Sequence, residues 1–147
     1  MVGYVKLASG SVTADWAYGY LPTGERLGKV NNLSATDNEE WYYNDGSDVV
    51  VDYKRTTGST TFTMTSTYVN GPSIDSKVAR IKSDATELYY ITDALGSVHR
   101  VINASEAILN TTMTTAWGED HPGFADSVSE PDRYGFTARE NDPESGL

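Results

Sequence analysis

Tyr89-Tyr90-Ile91-Thr92-Asp93-Ala94-Leu95-Gly96-Ser97-Val98-His99-Arg100-Val101 is the stretch that decides the fold. A β-favouring run, Leu88 to Ile91, meets a turn cluster, Thr92 to Ser97, and a second β-favouring run, Val98 to Ile102, follows. Aromatic and β-branched side chains suit a pleated surface, while Asp and Gly supply turn chemistry, so the stretch reads as a β-hairpin. Its weight comes from recurrence along the chain.

Turn glycines stand at Gly24, Gly46, Gly71, Gly96 and Gly118, with gaps of 22, 25, 25 and 22 residues. Aromatics precede most of them at short range: Tyr18 and Tyr20, Tyr42 and Tyr43, Tyr68, Tyr89 and Tyr90, then Trp117. A fixed period of roughly 20–50 residues is the mark of a repeat array. A strand pair cannot bury a face alone, so each unit must pair laterally with its neighbours.

Working outward, residues 4–7 read as a short strand and Ala8 to Thr13 as a turn. Asp15 to Tyr20 alternates aromatics on one face. Residues 27–33 form a weaker strand. Glu40-Trp41-Tyr42-Tyr43 leads into the turn Asn44-Asp45-Gly46, and Val49 to Arg55 is a strand. Thr60 to Val69 alternates cleanly, with Phe62, Met64, Ser66 and Tyr68 on one face and Thr61, Thr63, Thr65 and Thr67 on the other. Residues 77–82 and 87–91 are short strands. Ala107 to Trp117 reads as one more, with Leu109, Met113 and Trp117 opposing Thr112 and Thr114. No segment carries a helical period of useful length. The expected fold class is all-β: repeated antiparallel hairpins side by side in a curved sheet, with little or no helix.

The expected organisation is a hairpin array over residues 1–117 and an acidic, mostly irregular tail over 118–147. The tail holds eight acids against two arginines, a net of −6 out of the chain's −10, together with Pro122, Pro131 and Pro143. One short strand is expected in it, near Arg133 to Thr137.

A length of 147 residues suits one domain. The 10 Tyr against 3 Phe and 3 Trp favour a thin, half-exposed sheet, because Tyr packs its ring and keeps its hydroxyl hydrogen-bonded. With no Cys, disulfides and thiolate metal sites are excluded. The charge disfavours nucleic acid and anionic membranes as partners. No apolar run approaches the roughly 20 residues of a membrane span. Met1 to Lys6 lacks the apolar centre of a signal peptide.

The units resemble YD repeats, the Tyr-Asp repeats of Rhs (rearrangement hotspot) proteins, teneurins and insecticidal toxin-complex C components. Trp16-Ala17-Tyr18-Gly19-Tyr20…Gly24-Glu25-Arg26-Leu27 is similar to the aromatic-x-Tyr…Gly-x-Arg-Leu unit. A fuller match is to the region called the Rhs-associated core. Tyr89-Tyr90…Asp93-Ala94-Leu95-Gly96-Ser97 resembles its Tyr-Tyr…Asp-x-Leu-Gly-Ser motif. Ala116-Trp117-Gly118 resembles its Asp-x-[Phe/Trp]-Gly motif, with Thr115 in place of the acid. Pro131…Arg133-Tyr134…Asp142-Pro143-Glu144-Ser145-Gly146-Leu147 resembles its Pro-x-Arg-[Phe/Tyr]…Asp…Gly-Leu motif. Among the departures, His99 stands where Arg is usual, and Asn103 and Glu106 stand where Asp and Gly are common. The likeness is strong from residue 88 onward and weak before 40.

The resemblance implies a structural role: a strip of wall in a β-shell that encloses or presents a C-terminal toxin or other effector, extracellular or at the cell surface. Its partners would be the rest of the shell, or neighbouring strands edge to edge, and the effector. The structural motif residues would be Tyr89, Tyr90, Asp93, Leu95, Gly96, Ser97, Trp117, Gly118, Arg133, Asp142, Gly146 and Leu147. The alternative is a self-cleaving aspartyl-type core with Leu147 at the cut, for which Arg133 and Asp142 are the candidate residues. The motif over 142–147 is one residue longer than the family's cleavage site, and the family's catalytic segment lies downstream. The expectation is therefore no catalysis in this stretch. A third reading is a carbohydrate-binding surface module built on exposed aromatics.

Other chemistry is weaker. His99 and His121 are 22 residues apart with no other His, whereas metal sites want clustered ligands. Ser97 near His99 invites a nucleophile reading, but that needs an oriented base and an oxyanion hole. Glu119, Asp120, Asp126, Glu130 and Asp132 could pair for acid–base work, yet residues 118–126 lack the spacing of a Ca²⁺ loop. No cofactor or metal is expected. Asn32, Asn103 and Asn110 begin glycosylation-type triplets, a number that a Ser/Thr/Asn-rich chain reaches by chance.

Overall fold

Hairpin formation is driven locally here, and the turns show how. The computed structural model describes residues 2–8, 11–34, 39–56, 58–73, 76–123, 126–130 and 132–140. In the turn at Asp93, the Asp93 amide donates to the Ser97 carbonyl (3.0 Å), the Gly96 amide donates to the Asp93 carbonyl (3.1 Å), and Gly96 is left-handed (φ 83). This is a three-residue hairpin loop that ends in a left-handed residue.

The same pair of bonds recurs at Leu21–Glu25, Lys82–Thr86, Asn103–Ala107, Thr115–Glu119 and Gly135–Arg139. The left-handed place is taken by Gly24 (φ 104), Ala85 (φ 65), Glu106 (φ 64), Gly118 (φ 84) and Ala138 (φ 51) respectively. Where the first residue is Asp93 or Asn103, its side-chain Oδ1 also accepts two amides, from Leu95 and Ser97 or from Ser105 and Ala107.

The strands are β1 (Val2–Ala8), β2 (Ser11–Tyr20), β3 (Arg26–Asn31), β4 (Glu39–Asp45), β5 (Asp48–Arg55), β6 (Thr63–Asn70), β7 (Lys77–Lys82), β8 (Glu87–Thr92), β9 (Val98–Asn103), β10 (Ile108–Thr111) and β11 (Ser127–Val128), and four of these turns join β2 to β3, β7 to β8, β8 to β9 and β9 to β10. The fold is all-β: one antiparallel sheet in which each strand bonds to the next in the chain, not closed into a barrel. No α-helix occurs among the described residues.

The chain forms two compact units, Met1–Thr67 and Tyr68–Leu147. In the first, Tyr18 and Tyr42 are buried on one sheet face together with Lys29. Lys29 lies over the Trp16 ring (5.2 Å) and Arg26 over Tyr18 (5.0 Å). On the other face, the Glu39 carboxylate is buried and accepts from Arg55 and from Trp41 Nε1 (2.9 Å). Trp41 packs onto Gly28, where any Cβ would meet the Glu40 carbonyl and the indole.

In the second unit, Leu88 and Val101 are the large side chains fully buried among the described residues, at 0% and 1% exposure. Tyr90 opposes Val101 across β8–β9 and shares their face. The other buried aliphatic residues described in this unit are Ala79, Val98 and Ala138, outnumbered by Tyr68, Tyr90, Tyr134, Lys77, Arg80, Ser97 and Asn110. The core is therefore aromatic and polar, as the Tyr-heavy composition requires.

Several boundaries differ from the sequence reading. β10 ends at Thr111 instead of running to Trp117, because Thr115–Glu119 forms its own hairpin turn and leaves Trp117 at the tip, 88% exposed. The strand expected near Arg133 to Thr137 is a tight turn over Phe136–Ala138, flanked by a single bridge between Tyr134 and Glu140. β6 starts at Thr63, not Thr60, and the turn expected over Ala8 to Thr13 shrinks as β1 and β2 extend. Ser66 and Tyr68 do share the buried face of β6.

Candidate functional site

β7 carries Lys77-Val78-Ala79-Arg80-Ile81-Lys82, and its burial inverts the usual rule. Lys77 and Arg80 are buried, at 6% and 8% exposure, whereas Val78 and Ile81 are 44% and 37% exposed. The cations turn inward because tyrosines and carboxylates await them there. A buried charge is tolerated only when paired and hydrogen-bonded.

Arg80 Nη2 bonds Glu130 Oε1 at 2.9 Å, and Nη1 lies 3.3 Å from Asp132 Oδ2. Lys82 Nζ also reaches Glu130 Oε1, at 3.0 Å. The Tyr90 hydroxyl donates to Asp132 Oδ2 at 2.8 Å. Burial works against the charge on Arg80, but Asp132, the two tyrosines and Glu130 outweigh it, and its pKa is raised. Burial first, and then the Asp132 carboxylate, push the Tyr90 phenol far above its ordinary range. Tyr90 is therefore a fixed neutral donor.

Tyr134 completes the cluster. Its ring stands edge-on to Tyr68 (5.3 Å) and Tyr90 (6.4 Å). Lys77 Nζ sits 4.5 Å and the Arg133 guanidinium 5.2 Å from its centroid. Arg133 also lies 5.4 Å from the Tyr68 centroid, and Lys77 bonds Asn70 Oδ1 at 2.9 Å.

Backbone contacts hold the tail beside these groups. Asn110 is buried, and its amide acts as a surrogate peptide bond: Nδ2 donates to the Glu130 carbonyl (2.6 Å), and Oδ1 accepts from the Ser129 (3.1 Å) and Glu130 (3.0 Å) amides. β11 pairs with β10 through Asn110↔Val128 and Thr111↔Ser127. Val98 N donates to the Gly135 carbonyl (2.9 Å), and Thr137 N donates to Ser97 Oγ (3.0 Å).

The motif residues separate by role. Asp93, Leu95, Gly96 and Ser97 build the turn between β8 and β9, and Leu95 itself is 63% exposed. Burial raises the Asp93 carboxyl, but the amides of Ser97 and Leu95, the Ser97 hydroxyl and His99 outweigh it, and its pKa is lowered. Tyr90 and Arg133 belong to the ion–aromatic cluster. Tyr89 points away and donates to Glu87. Gly118 lies against the Phe136 ring, and Trp117 projects outward. Asp142, Gly146 and Leu147 lie outside the described residues.

Ser97, His99 and Asp93 do not form a relay. His99 Nε2 is 3.7 Å from Asp93 Oδ2, while the Ser97 hydroxyl takes the Thr137 amide. The acids Glu119, Asp120 and Asp126 border a cleft of about 720 Å³ beside β10, together with Arg100, Arg139 and Phe136. Among the described residues no three His, Asp or Glu gather to hold a metal ion. Sequence does not single out Arg80 or Lys77, and it marks Asn110 only as the start of a glycosylation-type triplet. No protein-family profile matches this chain, and no curated protein is a match to it.

Proposed function

We propose that this chain is a structural wall segment of a YD-repeat or Rhs-like shell, whose work is to contain or present an effector carried C-terminally, outside the cell. One observation carries the reading. The same three-residue turn, with its two backbone bonds and left-handed last residue, occurs six times among the described residues, and four of the six join consecutive strands of a sheet that pairs only in chain order. That is the construction of an array that lengthens by adding identical units. A repeat wall needs no reactive group, and the best-defined polar cluster fits that. Arg80, Glu130, Asp132 and Tyr90 bond one another, and Arg133 lies over two tyrosine rings.

The test is to express the natural reading frame well beyond Leu147 and to digest it with a non-specific protease. A wall predicts that the downstream domain resists digestion while enclosed and is cleaved once the β-region is unfolded. Equal digestion in both states refutes containment. Spontaneous release after Leu147, abolished by Asp142→Asn, would establish the self-cleaving alternative.

A further inference from the structure

The stretch Glu130 to Tyr134 enters its site as a short linear ligand enters a receptor. The side chains that meet the acidic and aromatic groups come from β6, β7 and β8: Tyr68, Lys77, Arg80, Lys82 and Tyr90. Every ligand group comes from three tail residues, Glu130, Asp132 and Tyr134, which lie 42 to 50 positions further along in the hydrogen bonds that join the two sides. We infer that this patch is a peptide-recognition site for segments of the form Glu-x-Asp-x-Tyr, and that the chain's own tail occupies it as a built-in competitor.

Three features support this. The recognition is by side chains: one carboxylate is read by Arg80 and Lys82, the second by Arg80 and the Tyr90 hydroxyl, and the ring by Tyr68, Tyr90 and Lys77. Charge-assisted bonds to a fixed guanidinium carry geometric specificity as well as attraction. The ligand is also preset, because Asp132 Oδ1 accepts the Tyr134 amide (3.0 Å), so carboxylate and ring arrive as one unit. Finally, Asn110 grips only backbone atoms of Ser129 and Glu130, which any segment can supply. The partner is an acidic segment of another polypeptide with a carboxylate two residues before a tyrosine and a second carboxylate two residues earlier. This inference does not rest on the wall reading.

Attachment gives the tail an effective concentration on the order of millimolar. The site therefore rejects weak partners until the tail is loosened. The experiment uses the full chain carrying Asp132→Asn and Tyr134→Ala, which vacate the site, and a fluorescent peptide of residues 127–140. Saturable binding to this variant is expected, at least tenfold weaker binding to the unaltered chain, and at least tenfold loss when the peptide carries Asp132→Asn or Tyr134→Ala. No saturable binding to a folded variant, or equal binding of a scrambled peptide, overturns the inference. If circular dichroism shows the variant unfolded, unlabelled peptide is titrated into the isotope-labelled unaltered chain. Displacement of the tail resonances supports the inference, and none at tens of millimolar overturns it.

Discussion

Replacing Glu106 by Gly should make this protein more stable, although glycine is usually a destabilising choice. Glu106 holds the last loop position of the Asn103–Ala107 turn at φ 64, where the matching turns use Gly24, Gly96 and Gly118. A side chain at left-handed φ costs about 1–2 kcal/mol through the clash of Cβ with the carbonyl oxygen. Glycine removes that cost but adds roughly 0.5–1 kcal/mol of unfolded-state freedom. The Glu106 side chain is exposed and takes part in no hydrogen bond or ion pair among the described residues, so its loss removes no contact. The net expectation is a gain of about 0.5–1 kcal/mol. For a chain of this size that is a rise in melting temperature of about 1–4 °C, or a midpoint shift of a few tenths molar in urea. Urea titration followed by circular dichroism measures it. Ala85→Gly should behave alike, and Gly96→Ala should lose a similar amount. A neutral or destabilised Glu106→Gly, with unchanged denaturant slope, would refute the claim that one strained turn geometry recurs.

Asn110→Ala should cost about 1–3 kcal/mol, because the buried Asn110 amide is lost and the Ser129 and Glu130 amides lose their acceptor; hydrogen exchange at Ser129 and Glu130 should accelerate before the rest of the sheet does. Tyr90→Phe addresses alkaline behaviour. The Tyr90 pKa is raised in the fold, so the unfolded chain sheds its proton first and stability falls as pH climbs above about 10, at about 1.4 kcal/mol per pH unit. The Phe variant should lose that part of the slope in denaturant titrations between pH 9 and 12, and an unchanged slope would mean that Tyr90 is not the group responsible. Gly118→Ala should destabilise by more than 1 kcal/mol, since its φ is 84 and an added Cβ would stand 2.8 Å from the Phe136 ring; a thermal melt decides it. β1 pairs with β2 and carries exposed Val2, Val5 and Leu7 at 61%, 56% and 65%. Such a strand recruits others, so light scattering should show association that rises with concentration and is suppressed by Val5→Lys.

Much of the architecture was readable because turn chemistry is local. Gly24, Gly46, Gly96 and Gly118 mark turns, and all four are left-handed. The turns that escaped notice are those in which Ala85, Glu106 or Ala138 fills the glycine place. Asn103 was the available clue, since its side chain caps its loop as Asp93 does. Glu106 was noted at sequence level as a departure from a common glycine, and the backbone supplies the reason: the conformation is kept and the strain accepted. The ion–aromatic cluster was much less legible. Arg80 and Glu130 are 50 positions apart, and no pattern within one strand announces a partner at that range. Val78 and Ile81 are three positions apart on β7, so strand alternation puts them on opposite faces and marks no apolar core face, and nothing in the pattern shows that Lys77 and Arg80 are the buried residues. Trp117 is placed on a strand face by alternation, but the turn at Thr115–Glu119 takes five residues that a strand cannot spare.

Pairing in strict chain order has a kinetic side. From β1 to β10 each strand partner lies close in sequence, so each hairpin closes a short loop, and folding can begin at any of them and spread outward. Such local topology favours rapid formation for a β-protein. The bonds joining Arg80 to Glu130, Tyr90 to Asp132 and Ser97 to Thr137 span 40 to 50 residues. They can form only on strands already assembled, so the tail docks last. By the same ordering it is the first part to open, at a free energy below that of the hairpins beneath it, and the sheet can persist while its covering comes and goes.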